Sequence, residues 1–432
     1  MTSLRVLIIG AGIGGLTLGQ ALVAAGGVDV QICERNRDAT DWLDGYRISI
    51  NPDGSRALHR CLPPALWEAF VATSTAPPGG ITFRTERLQE LFTVTRDDMT
   101  GGSSDPADGQ FGVSRVVLRN LLLAGLDGHV RFGAEFERYG VAADGTVTAH
   151  FADGSTATAD VLVGADGANS RVRTQYLPHA KRVLSGAAGL AARLPLNDDT
   201  RSWLPSVLAE GMTMVMPKSG SWSMFSSAFA GRDALTSAID GGVGLSGLGL
   251  DADVLLDTVD DYVLCSLIAD HRCLPENVVD LDGPTLQKIA LDMVRDWDPA
   301  LRRMIAECDL DTVAGMRFKQ STLVDPWPST TVTVLGDAIH NMTPVGGLGA
   351  NSALRDAAAL AEQLLAVRDG APLVPAIAAY DTQMRDWGYA AVRESGQNAH
   401  RATASNPVAR RAGRAWFRTR RVPRNRALVG GV

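Results

Sequence analysis

Cysteine is scarce: five in 432 residues (33, 61, 265, 273 and 308), with no CxxC pair. That scatter excludes a disulfide framework and fits a reducing cytoplasm. Cys265, His271 and Cys273 fall together in CSLIADHRC, but their spacing matches no common zinc pattern, so no metal is expected. Positive charge is not in excess either. The net charge is −7, and no basic field is available to recruit nucleic acid. Long hydrophobic runs are almost absent. The one candidate for a leader or anchor, VLIIGAGIGGLTLGQALVAAGG (6–27), contains seven glycines and leads straight into VDVQICER. A strand, a glycine turn, a helix and a second strand account for it better, so a soluble, cytoplasmic chain without an integral membrane segment is expected. The rest of the composition, 45% hydrophobic and 21% charged, is that of an ordinary globular protein, long enough for two or three domains.

What the chain has is glycine in particular places. LRVLIIG (4–10) is apolar throughout, as a central parallel strand should be, and it feeds GAGIGG, with Gly10, Gly12 and Gly15 in the G-x-G-x-x-G frame. The first glycine permits the tight turn, and the second lets backbone N–H groups approach a pyrophosphate. The third lets the helix pack closely on the strand. The helix start adds partial positive charge. Glu34 ends the second strand, where its carboxylate can accept hydrogen bonds from a ribose. A dinucleotide site is predicted, and the motif alone leaves FAD and NAD both open. Two more strand–turn units follow: ADVLVGADGANSRVR (159–173), with Asp166-Gly167, and VTVLGDAIHNMTPVGGLGANSALRDAAAL (332–360), with Gly336-Asp337.

These three motifs, in this order and separation, resemble the FAD-dependent aromatic hydroxylases, the group A flavoprotein monooxygenases of the para-hydroxybenzoate hydroxylase type. The resemblance covers roughly 1–365. It implies FAD as cofactor and NADPH or NADH as co-substrate. One oxygen atom of O2 would then pass, through a flavin C4a-hydroperoxide, to an aromatic or polyketide-like small molecule. By the same resemblance, Glu34 and Arg35 hold the adenosine ribose, Arg115 in GVSRVVLRNLL contacts FAD, and Asp166 lies near FAD and the path of NAD(P)H. Asp337 bonds the ribityl or pyrophosphate region, and Arg47 in GYRISI lies near the flavin; read without the resemblance, Arg47 is a solvated strand arginine. Two alternatives stay open: an isoprenoid reductase of the same fold, and a non-catalytic protein that binds FAD and a ligand. None of the eight tryptophans has a W-x-W partner, which argues against a flavin-dependent halogenase.

The late motif offers few reactive side chains, so its chemistry must come from backbone. Gly346, Gly347 and Gly349 allow close approach to a ring edge, and Pro344 fixes the chain direction before them. The helix that follows, capped by Asn351 or Ser352, would aim unpaired N–H groups at the negative charge of a reduced flavin. No residue is assigned as a catalytic acid or base, and His340 is expected to pack or hydrogen-bond structurally.

The predicted fold is α/β: a Rossmann-like FAD-binding domain (GR2 type) with an inserted β-sheet substrate domain and a C-terminal helical segment. The FAD domain is expected at 1–75, 100–180 and 290–365, the substrate domain at 76–99 and 181–289, and the helical segment at 366–432. Strand pairs are read at 81–96 and 213–230, where Met214, Met216, Trp222 and Met224, with Met212 and Phe225, are candidates for the substrate pocket. DGGVGLSGLGLD (240–251) reads as a mobile loop or lid, and 284–308 as helical, interrupted near Asp298-Pro299. Beyond Glu394 there is no acidic residue, while nine arginines lie between 401 and 426. That tail reads as a basic helix, either packed on the acidic body or touching an anionic membrane or another subunit, and the protein as a monomer or homodimer.

Overall fold

Val6, Leu7, Ile8 and Ile9 are all buried, although neighbouring strand residues point to opposite faces. The strand Leu4–Ile9 is therefore covered on both sides, and its sequence shows no alternation. In the computed structural model, which describes residues 3–37, 47–75 and 80–404, this strand is the centre of a five-stranded parallel sheet. The spatial order is Val332–Val334, Val161–Gly164, Leu4–Ile9, Val28–Cys33, Val130–Arg131. The three strands that end in glycine motifs are thus neighbours, and their motifs leave the sheet at one carboxyl edge. Ligands of open α/β sheets bind at such edges.

Two helices start from that edge. Ile13–Ala25 follows the first motif and Gly349–Arg368 the last. They meet where a Cβ on Gly14 would stand 2.7 Å from Leu335 Cδ1 and 3.3 Å from Ala353 Cβ, so the absence of a side chain sets their approach.

A second sheet of seven strands carries the order Asp309–Ser321, Arg182–Pro195, Asp261–Asp270, Trp222–Ala230, Met212–Val215, Ile81–Arg84, Glu90–Val94. All its pairings are antiparallel except that of Met212–Val215 with Ile81–Arg84. Both predicted strand pairs are present. The expected boundary at 290 does not follow this sheet, because Asp309–Ser321 is one of its edge strands. The helices Gly283–Met293 and Pro299–Ala306 pack on it through Leu286, Ala290, Leu301 and Met304. The Asp298 carboxylate caps the second of these helices at Ala300 N–H, 2.9 Å away, which explains the interruption read there.

Segment 240–251 is more ordered than a free lid: Leu245 is buried in the main core, and Ser246–Leu248 forms one 3-10 turn. Finally, the long helix Leu373–Thr403 spans both sheets. Tyr380 donates to the Val334 carbonyl (3.0 Å), Thr333 donates to Asp381 (2.7 Å), and Ser223 of the large sheet donates to the Ala402 carbonyl (2.8 Å). The arginine-rich residues from 405 onward lie outside the described residues. Among those described, no helix is long and apolar enough to cross a membrane.

Candidate active site

The first motif is closed by Glu34. Its carboxylate accepts Ala11 N–H (2.8 Å) and Asn36 N–H (3.0 Å), tying the glycine turn to the end of the second strand. Gly10 has φ of 109°, and a Cβ there would lie 2.4 Å from the Ala165 carbonyl oxygen; at Gly15 it would lie 2.2 Å from that of Gly10. A Cβ on Gly12 would meet nothing within 4 Å. Two glycines are therefore needed for packing, and the third opens onto space. That space is a cavity of about 220 Å³ lined by Gly10, Gly12, Glu34, Arg35, Asp166 and Arg119, among others.

Asp166 brings the second motif into the same cavity. One carboxylate oxygen accepts Arg171 N–H (2.7 Å) and Val172 N–H (3.2 Å), while the other is sealed from solvent without a partner. Burial raises its pKa, opposed by Ser170 and those N–H groups. A cavity floored by bare glycine backbone and edged by the carboxylates of Glu34 and Asp166 is what a ligand bearing hydroxyl donors and phosphate oxygens would fill. The residues present fit the ribose and pyrophosphate of FAD.

Arg115 opens the helix Arg115–Leu123, and burial lowers its pKa while Asp337 opposes the shift. The guanidinium therefore shares a field with the third motif. Arg119, one turn later, is 5% exposed and directs Nε toward the Ala11 carbonyl at 3.4 Å. Sequence reasoning passed over it; a second arginine at i+4 in a mostly apolar helix was the available signal.

At the third motif Asp337 is exposed and stands 3.8 Å from the position a Cβ would take on Gly349. Pro344, Gly346 and Gly347 are exposed too, with φ of 98° and 65° at the glycines. The helix starts at Gly349 with Leu348 as its cap residue and no side-chain cap, so capping by Asn351 or Ser352 does not occur. Both residues lie inside the first turn. Asn351 is instead a clamp: its amide donates to Ser49 O (2.9 Å) and Gly347 O (2.8 Å) and accepts Asn51 N–H (2.9 Å). With its polar atoms so engaged, it positions the glycine loop. The first intrahelical bond runs from Ser352 N–H to Leu348 O, leaving the N–H groups of 349–351 without intrahelical acceptors.

Beneath this loop lies a buried ion pair. His340 Nε2 is 2.6 Å from Asp356 Oδ2, both side chains fully enclosed, and Asp356 also accepts Gly336 N–H (2.8 Å) and Trp387 Nε1–H (2.7 Å). Burial depresses the His340 pKa, but Asp356, helped by Asp337, more than reverses this, leaving it raised. His340 supports the turn from below and has no exposed surface.

The large sheet is the roof. Val345 packs on Ile268, Phe318 and Ala399, with Phe225 and Met316 alongside, so the face bearing those residues turns to the loop. Register decides which candidates share it. Met214 pairs with Phe225 and is on that face; Met216 follows it two residues on. Met224 pairs with Val215 and points the other way, fully buried against the helices Gly283–Met293 and Pro299–Ala306 together with Trp222. Trp222 and Met224 are therefore removed from the substrate pocket. Strand parity forbids Met224 and Phe225 from sharing a face. Arg47 also differs from its solvated reading: its Nε is sealed from solvent, its Nη2 donates to Ser227 of the roof (2.5 Å), and burial lowers its pKa.

The family profile described as FAD binding domain matches residues 3–185 and 289–395. The chain belongs to the FAD-dependent monooxygenases. Among the members of this group A hydroxylase family, CTB3 of Cercospora beticola, a dual O-methyltransferase/FAD-dependent monooxygenase, is 33% identical over 88% of this chain. The chain spans 44% of CTB3's length. The FAD-dependent monooxygenase cctM of Talaromyces islandicus is 27% identical, with 91% of each chain covered. Among solved structures, an FAD-containing monooxygenase from Photorhabdus luminescens superposes with a TM-score of 0.81 at 33% identity, covering 93% of this chain and 99% of the other. Klebsiella pneumoniae HpxO, complexed with FAD and uric acid, shares the fold with a TM-score of 0.75 at 20% identity over 96% of this chain and 93% of its own.

Proposed function

We propose that this monooxygenase uses NADPH or NADH to place one oxygen atom of O2 on an aromatic or polyketide-like small molecule held beneath the roof sheet. The observation that carries the reading is the juxtaposition at Val345: a glycine loop and uncapped helix start face an apolar sheet surface bearing Phe225 and Met316. FAD, when bound, accepts electrons from the nicotinamide and activates O2; the protein supplies position, dryness and field.

Its own residues divide that work. Gly12 and the start of Ile13–Ala25 receive the pyrophosphate, with Glu34 and Arg35 at the ribose. Asp166, Asp337 and Arg115 hold the middle of the cofactor. The N–H groups at 349–351 lend partial positive charge where a reduced ring becomes negative, at no desolvation cost to a charged side chain. Gly346 and Gly347 let backbone reach the ring, and Asn351 keeps them there. Met214, Met216 and Phe225 exclude water above it and orient a flat substrate. Domain limits follow the same division, with the nucleotide half discontinuous around the roof.

Purified protein should be yellow and should oxidise NADPH or NADH in air, faster when a substrate is added, with a product heavier by one oxygen. Absence of bound flavin would remove the cofactor assignment. Reduction of a double bond without O2 would replace the reading with the reductase one, and bound flavin without turnover on a broad panel would replace it with the binding protein.

A further inference from the structure

Ser49 is the middle residue of the strand Ile48–Ile50, which pairs antiparallel with Phe111–Val113. Its Cβ stands 3.8 Å from where a Cβ of Gly347 would sit, so this half-buried side chain borders the glycine loop directly. Its carbonyl accepts the Asn351 amide (2.9 Å), and the same amide nitrogen donates to Gly347 O (2.8 Å). One side chain thus holds strand and loop in register. The clamp needs glycine behind it, because a Cβ on Gly54 would lie 2.2 Å from Asn351 Oδ1.

The Ser49 hydroxyl is fixed from the other side. Gln110, 7% exposed, donates from Nε2 to Ser49 Oγ at 2.5 Å. A hydroxyl oxygen that accepts from an amide keeps its own proton for a different acceptor. Among the described residues no acceptor takes that proton. The two carbonyls at hand, Ser49 O and Gly347 O, are already bonded to Asn351. The result is an oriented donor beside a loop of bare backbone.

From this chain of bonds we infer that the Ser49 hydroxyl donates a hydrogen bond to a carbonyl oxygen on the edge of the flavin ring. Gln110 is the positioning residue that turns its proton there. The inference rests on the proposed function for the ring's place at the glycine loop, and it adds a side-chain donor to a site otherwise built of backbone. Reduction brings negative charge to that edge, so the bond passes from one between neutral groups to a charge-assisted one. Ser49 therefore holds the reduced flavin more tightly than the oxidised one.

The test uses the full-length protein loaded with FAD, read by infrared spectroscopy of the flavin carbonyl bands, by fluorescence titration and by the flavin midpoint potential. Ser49→Ala should move one ring carbonyl band to higher frequency, because a carbonyl that loses a donor stiffens. Oxidised FAD should bind about two- to tenfold more weakly, as one hydrogen bond between neutral groups implies. Reduced FAD should lose more, so the midpoint potential falls. Gln110→Glu should shift the same band in the same direction, since a carboxylate accepts the Ser49 proton and turns it from the ring. An unmoved band and potential in Ser49→Ala, or a Gln110→Glu band identical to wild type, would overturn the inference. Should Ser49→Ala retain no FAD, the Gln110→Glu band decides alone. Failure here, with FAD bound and NAD(P)H oxidised in air, leaves the monooxygenase reading standing. A protein that takes up no FAD removes both.

Discussion

At the cofactor cradle the working atoms are mostly backbone: Gly10 at φ 109°, Gly12 with open space where a Cβ would be, and the N–H groups ahead of Ser352. Across the roof they are side chains, and their direction depends on strand parity and on pairing between distant segments. Met214 and Met224 are ten residues apart in one hairpin, yet one faces the loop and the other the helices behind. Backbone sites are written in short local motifs. Side-chain sites on a sheet are written in register, which no short motif contains.

The contrast can be broken at its support first. Asp356→Ala leaves His340 buried and unpaired under the glycine loop. A loss of about 3–5 kcal/mol is expected for such a change, read as a fall in denaturation midpoint. Next, Met224→Ala should cost about 2–5 kcal/mol of stability, as core truncations do, with substrate KM little changed. Met214→Ala should do the opposite, shifting KM several-fold while the melting temperature barely moves. Equal behaviour of the two would mean that the roof's faces are misassigned. Gly10→Ala adds a Cβ 2.4 Å from the Ala165 oxygen at a left-handed φ. Strain of about 1–3 kcal/mol should appear as roughly tenfold lower flavin retention. Asp337→Ala should weaken flavin retention by a smaller factor, since one hydrogen-bonding carboxylate is lost; unchanged occupancy would refute its role.

The smallest effect is in pH. The His340 pKa is raised by Asp356 against burial, so the pair's stabilisation is complete below the unfolded value of about 6.5 and is lost as pH rises through the folded one. Compared with the uncharged pair His340→Gln/Asp356→Asn, the wild-type advantage in melting temperature should shrink as pH rises above neutrality. A growing advantage would reverse the assignment.

The elements that build the proposed cradle were legible in the sequence. Gly10, Gly12, Gly15 and Glu34 fall within one strand–turn–helix unit, and Asp166 and Asp337 stand at the ends of two more strands. Arg119 escaped because it reads as a helix-surface residue until the helix is known to cross the glycine turn. Asn351 was taken for a cap because capping residues are chosen by type; besides Gly347, it bonds to Ser49 and Asn51, in a segment about 300 residues away. Trp222 and Met224 failed on a rule that was available, since adjacent residues of a strand cannot share a face and Phe225 lies between strand positions of their parity. Arg47 needed the roof, because its bonds to Ser227 and Tyr262 distinguish a half-buried arginine from a solvated one.

The most direct test is a crystal structure of the protein with FAD bound. The account predicts the pyrophosphate over Gly12, the edge of the isoalloxazine ring against the backbone of 346–349, and the face of the ring toward Met214 and Phe225. A ring bound away from the glycine loop, or one facing Trp222 and Met224, would contradict it.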